Sequence, residues 1–140
     1  MASTNKIHTL SVDSSTKHLS EVRDFVATYA QKYGLSEKEI SEIRLAVDEA
    51  YTNIIKHAYN NSPSKPVKIE VGTDSKKIWI SILDKGESFK PQEYQALDIL
   101  KGIKNKQRGG MGVFLIQKVM DQVQYSRKGN MNEIRMVKNL

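Results

Sequence analysis

The sequence predicts an α+β fold in which helices pack on one face of a largely antiparallel sheet. Three observations carry the prediction. Two amphipathic helical stretches follow one another near the N-terminus, across residues 14–59. Two pairs of alternating apolar and polar segments, 67–73 with 77–83 and 122–127 with 133–138, are each joined by a short turn. The resulting order is strand, helix, helix, hairpin, long connector, helix, hairpin, and hairpins following helices favour an antiparallel sheet over a βαβ arrangement.

Taken in order, IHTLSV (7–12) reads as a short strand, and the Ser14-Ser15-Thr16 cluster opens a helix with Leu19, Val22, Val26, Tyr29 and Tyr33 along one face. Gly34 ends that helix. The next begins at Ser36, with Glu39 three residues on as a capping box, and carries Ile40, Ile43, Val47, Ala50 and Ile54 at helical spacing up to the Asn60-Asn61-Ser62-Pro63 loop. VKIEVGT (67–73) and KIWISIL (77–83) alternate as strands around an Asp74-Ser75 turn. Residues 84–110 form a long connector with a short helix expected around 92–101, and a connector of that length reads as a lid. A helix is expected after Gly112, then strands at 122–127 and 133–138 joined through Lys128-Gly129-Asn130.

At 140 residues, with 39% hydrophobic and 27% charged side chains, the chain is expected to form a single domain over 1–140 with a core of ordinary size. No apolar run approaches the length of a membrane span, and MASTNKIHTL lacks the apolar stretch of a signal peptide, so a cytoplasmic protein is expected. The absence of cysteine agrees, and it removes thiol catalysis, disulfides and cysteine zinc sites from consideration. A net charge of +6 suits an acidic partner, yet the lysines are dispersed and aromatics make up only 7% of the chain, which argues against direct nucleic-acid binding.

Three segments carry chemistry. In RGGMGVFLIQKVM (108–120), Gly109, Gly110 and Gly112 stand directly before an apolar helical run. Backbone N–H groups at a helix start lack intrahelical partners, and glycine lets them approach a phosphate without a Cβ in the way. On the second helix, Glu49 and Asn53 lie four residues apart and share a face to the side of the Ile43/Val47/Ile54 stripe. An amide oxygen is a hard, neutral ligand suited to Mg²⁺, and a carboxylate one turn away can deprotonate an attacking hydroxyl. In ILDKGESF, Asp84 ends a strand with Gly86 two residues later, an arrangement that can accept a hydrogen bond from an adenine amino group beside a gap for the flat base. Each segment alone has a plainer reading: an ordinary glycine turn, a solvated polar helix face, and an Asp-x-Gly strand end.

Together and in this order, DEAYTNIIKHAY, DKGESF and RGGMGVFLI resemble the N, G1 and G2 boxes of the GHKL ATPase superfamily, and the likeness is closest to the anti-sigma factor serine kinases of bacteria, of the stress-response and sporulation type. The resemblance covers essentially the whole chain. It implies a Bergerat-type two-layer α/β sandwich, with a mixed, mainly antiparallel sheet and helices on one face. It further implies a cytoplasmic kinase that binds ATP with Mg²⁺, sequesters an alternative sigma factor and phosphorylates a serine or threonine of a STAS-type anti-sigma factor antagonist, as a homodimer away from any membrane.

By that likeness Glu49 is the general base, Asn53 the Mg²⁺ ligand, and Asp84 with Gly86 the adenine contact. Gly109, Gly110, Met111 and Gly112 wrap the phosphates, while Lys104, Lys106 and Arg108 neutralise their charge. Arg23, on the first helix, corresponds to a partner-contacting position. The chain departs from the pattern in two places: Glu87-Ser88 follow Gly86 without a second glycine, and Glu133 stands where many relatives place a threonine near the base. Nothing resembles the phospho-accepting histidine segment of sensor kinases. The alternative function is a non-catalytic ATP-binding or nucleotide-independent module that holds a transcription regulator, and the presence of Glu49 favours the enzyme, because nucleotide binding alone requires no base.

Overall fold

Strict alternation in the strands and 3.6-residue periodicity in the helices place their apolar faces against each other, and the computed structural model, which describes residues 6–59, 65–86 and 116–140, shows the result. Strands β1 (Lys6–Asp13), β2 (Pro66–Thr73), β3 (Lys77–Asp84), β4 (Gln122–Lys128) and β5 (Met131–Asn139) form one sheet in the order β1-β2-β3-β5-β4. Every neighbouring pair among the described residues is antiparallel. The last strand begins at Met131, two residues earlier than its alternation predicts, because the two-residue turn at Gly129-Asn130 pairs Lys128 directly with Met131. Gly129 has φ +62°, a backbone conformation that glycine reaches without steric cost.

Helix α1 (Leu19–Lys32) follows a 3₁₀ turn at Thr16–His18 and stops at Gly34, whose φ is +89°. Helix α2 (Glu37–Asn53) starts on the expected capping box: the Ser36 hydroxyl accepts from Glu39 N at 3.2 Å, and the Glu39 carboxylate accepts from Ser36 N at 2.9 Å. Those bonds hold the Glu39 carboxyl below its ordinary range. A π-helical turn, Ile54–Ala58, continues α2 without a break. Residues 116–119 are helical and lead into β4, while the expected helix at 92–101, the connector beyond Gly86 and the start of the helix after Gly112 lie outside the described residues.

The core lies between the helices and one face of the sheet. Val22 and Val26 of α1 and Ile43, Ala46 and Val47 of α2 are fully buried against Ile69, Val71, Ile78, Ile80, Ile82 and Met136. Each such aliphatic side chain contributes about 1.5–3 kcal/mol on burial. Tyr29 and Tyr33, predicted on the same stripe as Val22, sit at its margin instead. There Tyr29 stacks on His8 with ring centroids 3.8 Å apart, and Tyr33 Oη lies 2.7 Å from His8 Nε2.

The opposite face of the sheet is polar. The Ser81 hydroxyl donates to Glu133 Oε2 at 2.7 Å and accepts from Arg135 Nε at 3.1 Å, which satisfies a serine that is completely buried. The Arg135 guanidinium also lies 4.3 Å from the centre of the Trp79 ring. That indole lies across Gly72, where any Cβ would overlap it.

Candidate nucleotide and phosphotransfer site

The last turn of α2 projects toward one end of the sheet, and Tyr59 fixes where it stands. Tyr59 is buried just after the π turn, and its hydroxyl donates to the Pro66 carbonyl at 2.6 Å while accepting from Lys85 N at 2.6 Å. One phenol thus ties the helix end to the start of β2 and the end of β3. Tyr51 does the same on the other flank, reaching the carbonyls of Asp13 and Ser15 at 2.8 Å each. Burial pushes the Tyr51 hydroxyl up to about 12 and raises that of Tyr59, so both stay protonated and able to donate at neutral pH. A π turn shifts the side chains that follow it relative to an α-helix, a device frequent at functional sites.

Within this frame Asn53 is buried and Glu49, about 6 Å back along the helix axis, is half-buried. Asn53 therefore lies closer to the core than a position beside the apolar stripe predicts. Asp48, adjacent to Glu49, lies 3.3 Å from Arg23 Nε, an ion pair between α2 and α1. That approach lacks hydrogen-bond geometry, so the buried Oδ1 of Asp48 has charge compensation but no hydrogen bond, and burial raises its carboxyl above the ordinary range. Arg23, expected on the surface of α1, is thus committed to Asp48.

Asp84 ends β3 on the helix side of the sheet and is 3% exposed. Its Oδ1 accepts from Gly86 N at 2.8 Å and from Asn132 Nδ2 at 2.9 Å. Arg127, on β4, donates from one guanidinium nitrogen to Asn132 Oδ1 at 2.7 Å and to the Gly86 carbonyl at 3.3 Å. Burial raises the Asp84 carboxyl, while Asn132, the Gly86 amide and Arg127 act in the opposite direction.

Sequence reasoning missed Asn132 and Arg127. Glu133, which stands where many relatives place a threonine near the base, pairs with Leu83 in register and turns to the open face, where it binds Ser81 and Arg135. Strand side chains alternate, so the residue facing Asp84 is Asn132, one position earlier. The signal that finds it is the register, which puts Asp84, Asn132 and Arg127 in one row across β3, β5 and β4.

The structure places Glu49, half-buried, and Asn53, buried, on α2, and Asp84 with Gly86 at and just beyond the end of β3. Lys104, Lys106, Arg108, Gly109, Gly110, Met111 and Gly112 lie outside the described residues. Among the described residues no three His, Cys, Asp or Glu side chains stand together as a metal cluster, and no helix is long and apolar enough to cross a membrane.

The arrangement of a helix-borne Glu-x-x-x-Asn, a buried strand-end aspartate and helices on one face of the sheet defines an ATPase-type domain, and comparison with known proteins agrees. Residues 12–138 match the family model described as histidine kinase-like ATPase domain. The chain is 31% identical to the serine-protein kinase RsbW of Oceanobacillus iheyensis over 85% of its own length and 78% of that protein. It is 29% identical to RsbW of Listeria monocytogenes, over 88% of this chain and 81% of the relative, and 26% identical to RsbW of Bacillus subtilis, over 81% and 74%. A chain of the SiaB-SiaC complex from Pseudomonas aeruginosa superposes with a TM-score of 0.66 at 17% identity, covering 91% of this chain and 88% of that one, a likeness of fold. The chain therefore belongs to the histidine kinase-like ATPase family and, within it, to the protein serine/threonine kinases of the RsbW group.

Proposed function

We propose that this kinase binds ATP with Mg²⁺ at the end of α2, holds an alternative sigma factor, and transfers the γ-phosphoryl group to a serine or threonine of a STAS-type anti-sigma factor antagonist. In this reading Asp84 recognises the adenine amino group beside Gly86, Asn53 contributes an oxygen to the metal, and Glu49 takes the proton of the acceptor hydroxyl as the phosphoryl group leaves ADP. Gly109, Gly110, Met111 and Gly112, with Lys104, Lys106 and Arg108, complete the phosphate contacts. Bound Mg²⁺ would neutralise charge building on the phosphate oxygens. A neutral amide oxygen such as that of Asn53 suits Mg²⁺, which keeps several waters and takes phosphate oxygens readily.

The observation that carries this reading is the carboxylate of Asp84. It is buried at a strand end with one oxygen bonded to Gly86 and Asn132, at the same end of the sheet to which Tyr59 ties the helix bearing Glu49 and Asn53. A buried carboxylate kept in that setting is more costly than an apolar residue of its size, which points to a ligand that uses it. The reading carries with it a cytoplasmic homodimer, for which β1 and β4 are the sheet edges among the described residues.

Incubation with Mg-ATP labelled at the γ-phosphate and an antagonist encoded beside the gene tests the proposal. Label is expected on an antagonist serine or threonine. ATP binding without transfer would leave a binding module that holds a regulator, and the kinase reading of Glu49 would fall.

A further inference from the structure

Arg127, Asn132 and Asp84 stand side by side on three adjacent strands, and their chemistry fixes the direction of every hydrogen bond between them. A guanidinium only donates, so the Asn132 atom that meets Arg127 at 2.7 Å is its oxygen. The amide nitrogen must then face Asp84, where it donates to Oδ1 at 2.9 Å, and it also lies 3.3 Å from the Gly86 carbonyl. Turning the amide over would set its oxygen against a carboxylate and its NH₂ against a cation, two repulsive contacts. Gly86 N donates to the same Oδ1 at 2.8 Å. Among the described residues none hydrogen-bonds to Oδ2 of Asp84, so these residues engage one carboxylate oxygen and leave the other as an acceptor.

We infer that Arg127 and Asn132 are positioning residues for nucleobase selection: they lock the Asp84 carboxylate so that its second oxygen presents an acceptor to a base bearing an exocyclic amino group and rejects a base with an oxo group at that place. This deepens the nucleotide reading above and rests on it. The physical basis of the discrimination is that a buried acceptor facing another acceptor leaves both without a partner, a penalty that a carboxylate free to rotate would partly escape. Arg127 never touches the base in this scheme. It acts through the amide, and because its own side chain is exposed, replacing it leaves the core intact.

The test is calorimetric titration of ATP and of inosine triphosphate, which carries an oxo group in place of the adenine amine, into the parent protein and into Arg127→Ala, Arg127→Lys and Asn132→Ala, all with Mg²⁺. The parent is expected to prefer ATP. Arg127→Ala and Asn132→Ala are expected to lower the ATP to inosine triphosphate preference by about tenfold, the worth of one hydrogen bond to a charged group. Arg127→Lys, which keeps a cationic donor, is expected to restore most of it. An unchanged preference in both alanine variants, or an equal loss of affinity for the two nucleotides, would overturn the inference while leaving the nucleotide site standing. A parent protein that binds neither nucleotide at millimolar concentration would instead overturn the nucleotide reading and the inference with it.

Discussion

Asp84 and Asn132 face each other across β3 and β5, 48 residues apart in the chain, and the Asn132 amide donates to Asp84 Oδ1 at 2.9 Å. The contact favours the ionised carboxylate. It opposes the burial that raises the Asp84 carboxyl, as do the Gly86 amide and Arg127.

Replacing Asp84 by Asn exchanges the outward acceptor for a donor while the inner oxygen can still meet Gly86 N and Asn132 Nδ2. ATP affinity measured by calorimetry is expected to fall by at least about tenfold. An Asp84→Asn protein that binds ATP as tightly as its parent would remove this residue from the adenine contact.

The same substitution reports on stability through pH. The folded Asp84 carboxyl is raised above its unfolded value, so its contribution to stability is complete below the ordinary carboxylate pKa of about 4 and is lost as pH rises through the folded value. Asparagine does not titrate. The Tm of Asp84→Asn relative to the parent should therefore climb across that window and level off above it. A difference that stays flat with pH would show that burial does not govern this group.

Glu49→Gln keeps the shape of the side chain and the helix but removes the base. Phosphotransfer to the antagonist is expected to drop by about 10²- to 10⁴-fold with nucleotide affinity little changed. Transfer at the parental rate would assign the proton to another group.

Tyr59→Phe deletes one hydroxyl that serves both Pro66 O and Lys85 N. Both bonds are part-buried, so losing them costs up to about 1–3 kcal/mol. Urea denaturation should show that loss. ATP affinity should also fall, because Lys85 lies between Asp84 and Gly86. Unaltered stability would mean that water replaces the phenol without cost.

Gly72→Ala should destabilise the protein by about 1–3 kcal/mol, since the new methyl group must displace the Trp79 ring. Thermal unfolding followed by tryptophan fluorescence measures it. Adding Trp79→Leu should recover part of the loss, and a double variant less stable than Gly72→Ala alone would place the strain elsewhere.

Local sequence determined much of this protein by itself. Ser36 and Glu39 announce the start of α2, Gly34 ends α1, and the alternation of Val67, Ile69 and Val71 gives a strand and the face that it buries. The four-residue spacing of Glu49 and Asn53 puts them on one side of a helix, because helical geometry is set within a turn. Only the tertiary structure decided which residue of β5 meets Asp84. Strand side chains change face at every step, so an error of one position exchanges Asn132 for Glu133 and moves the side chain through the sheet. The link from Arg127 to Asn132 spans five residues and follows from the two-residue turn of the β4–β5 hairpin, whereas the register depends on how β3 and β5 align across a long separation, as does the link from Tyr59 to Lys85. No local pattern encodes those long-range pairings, because the hydrogen bonds that define them form only after the strands have met.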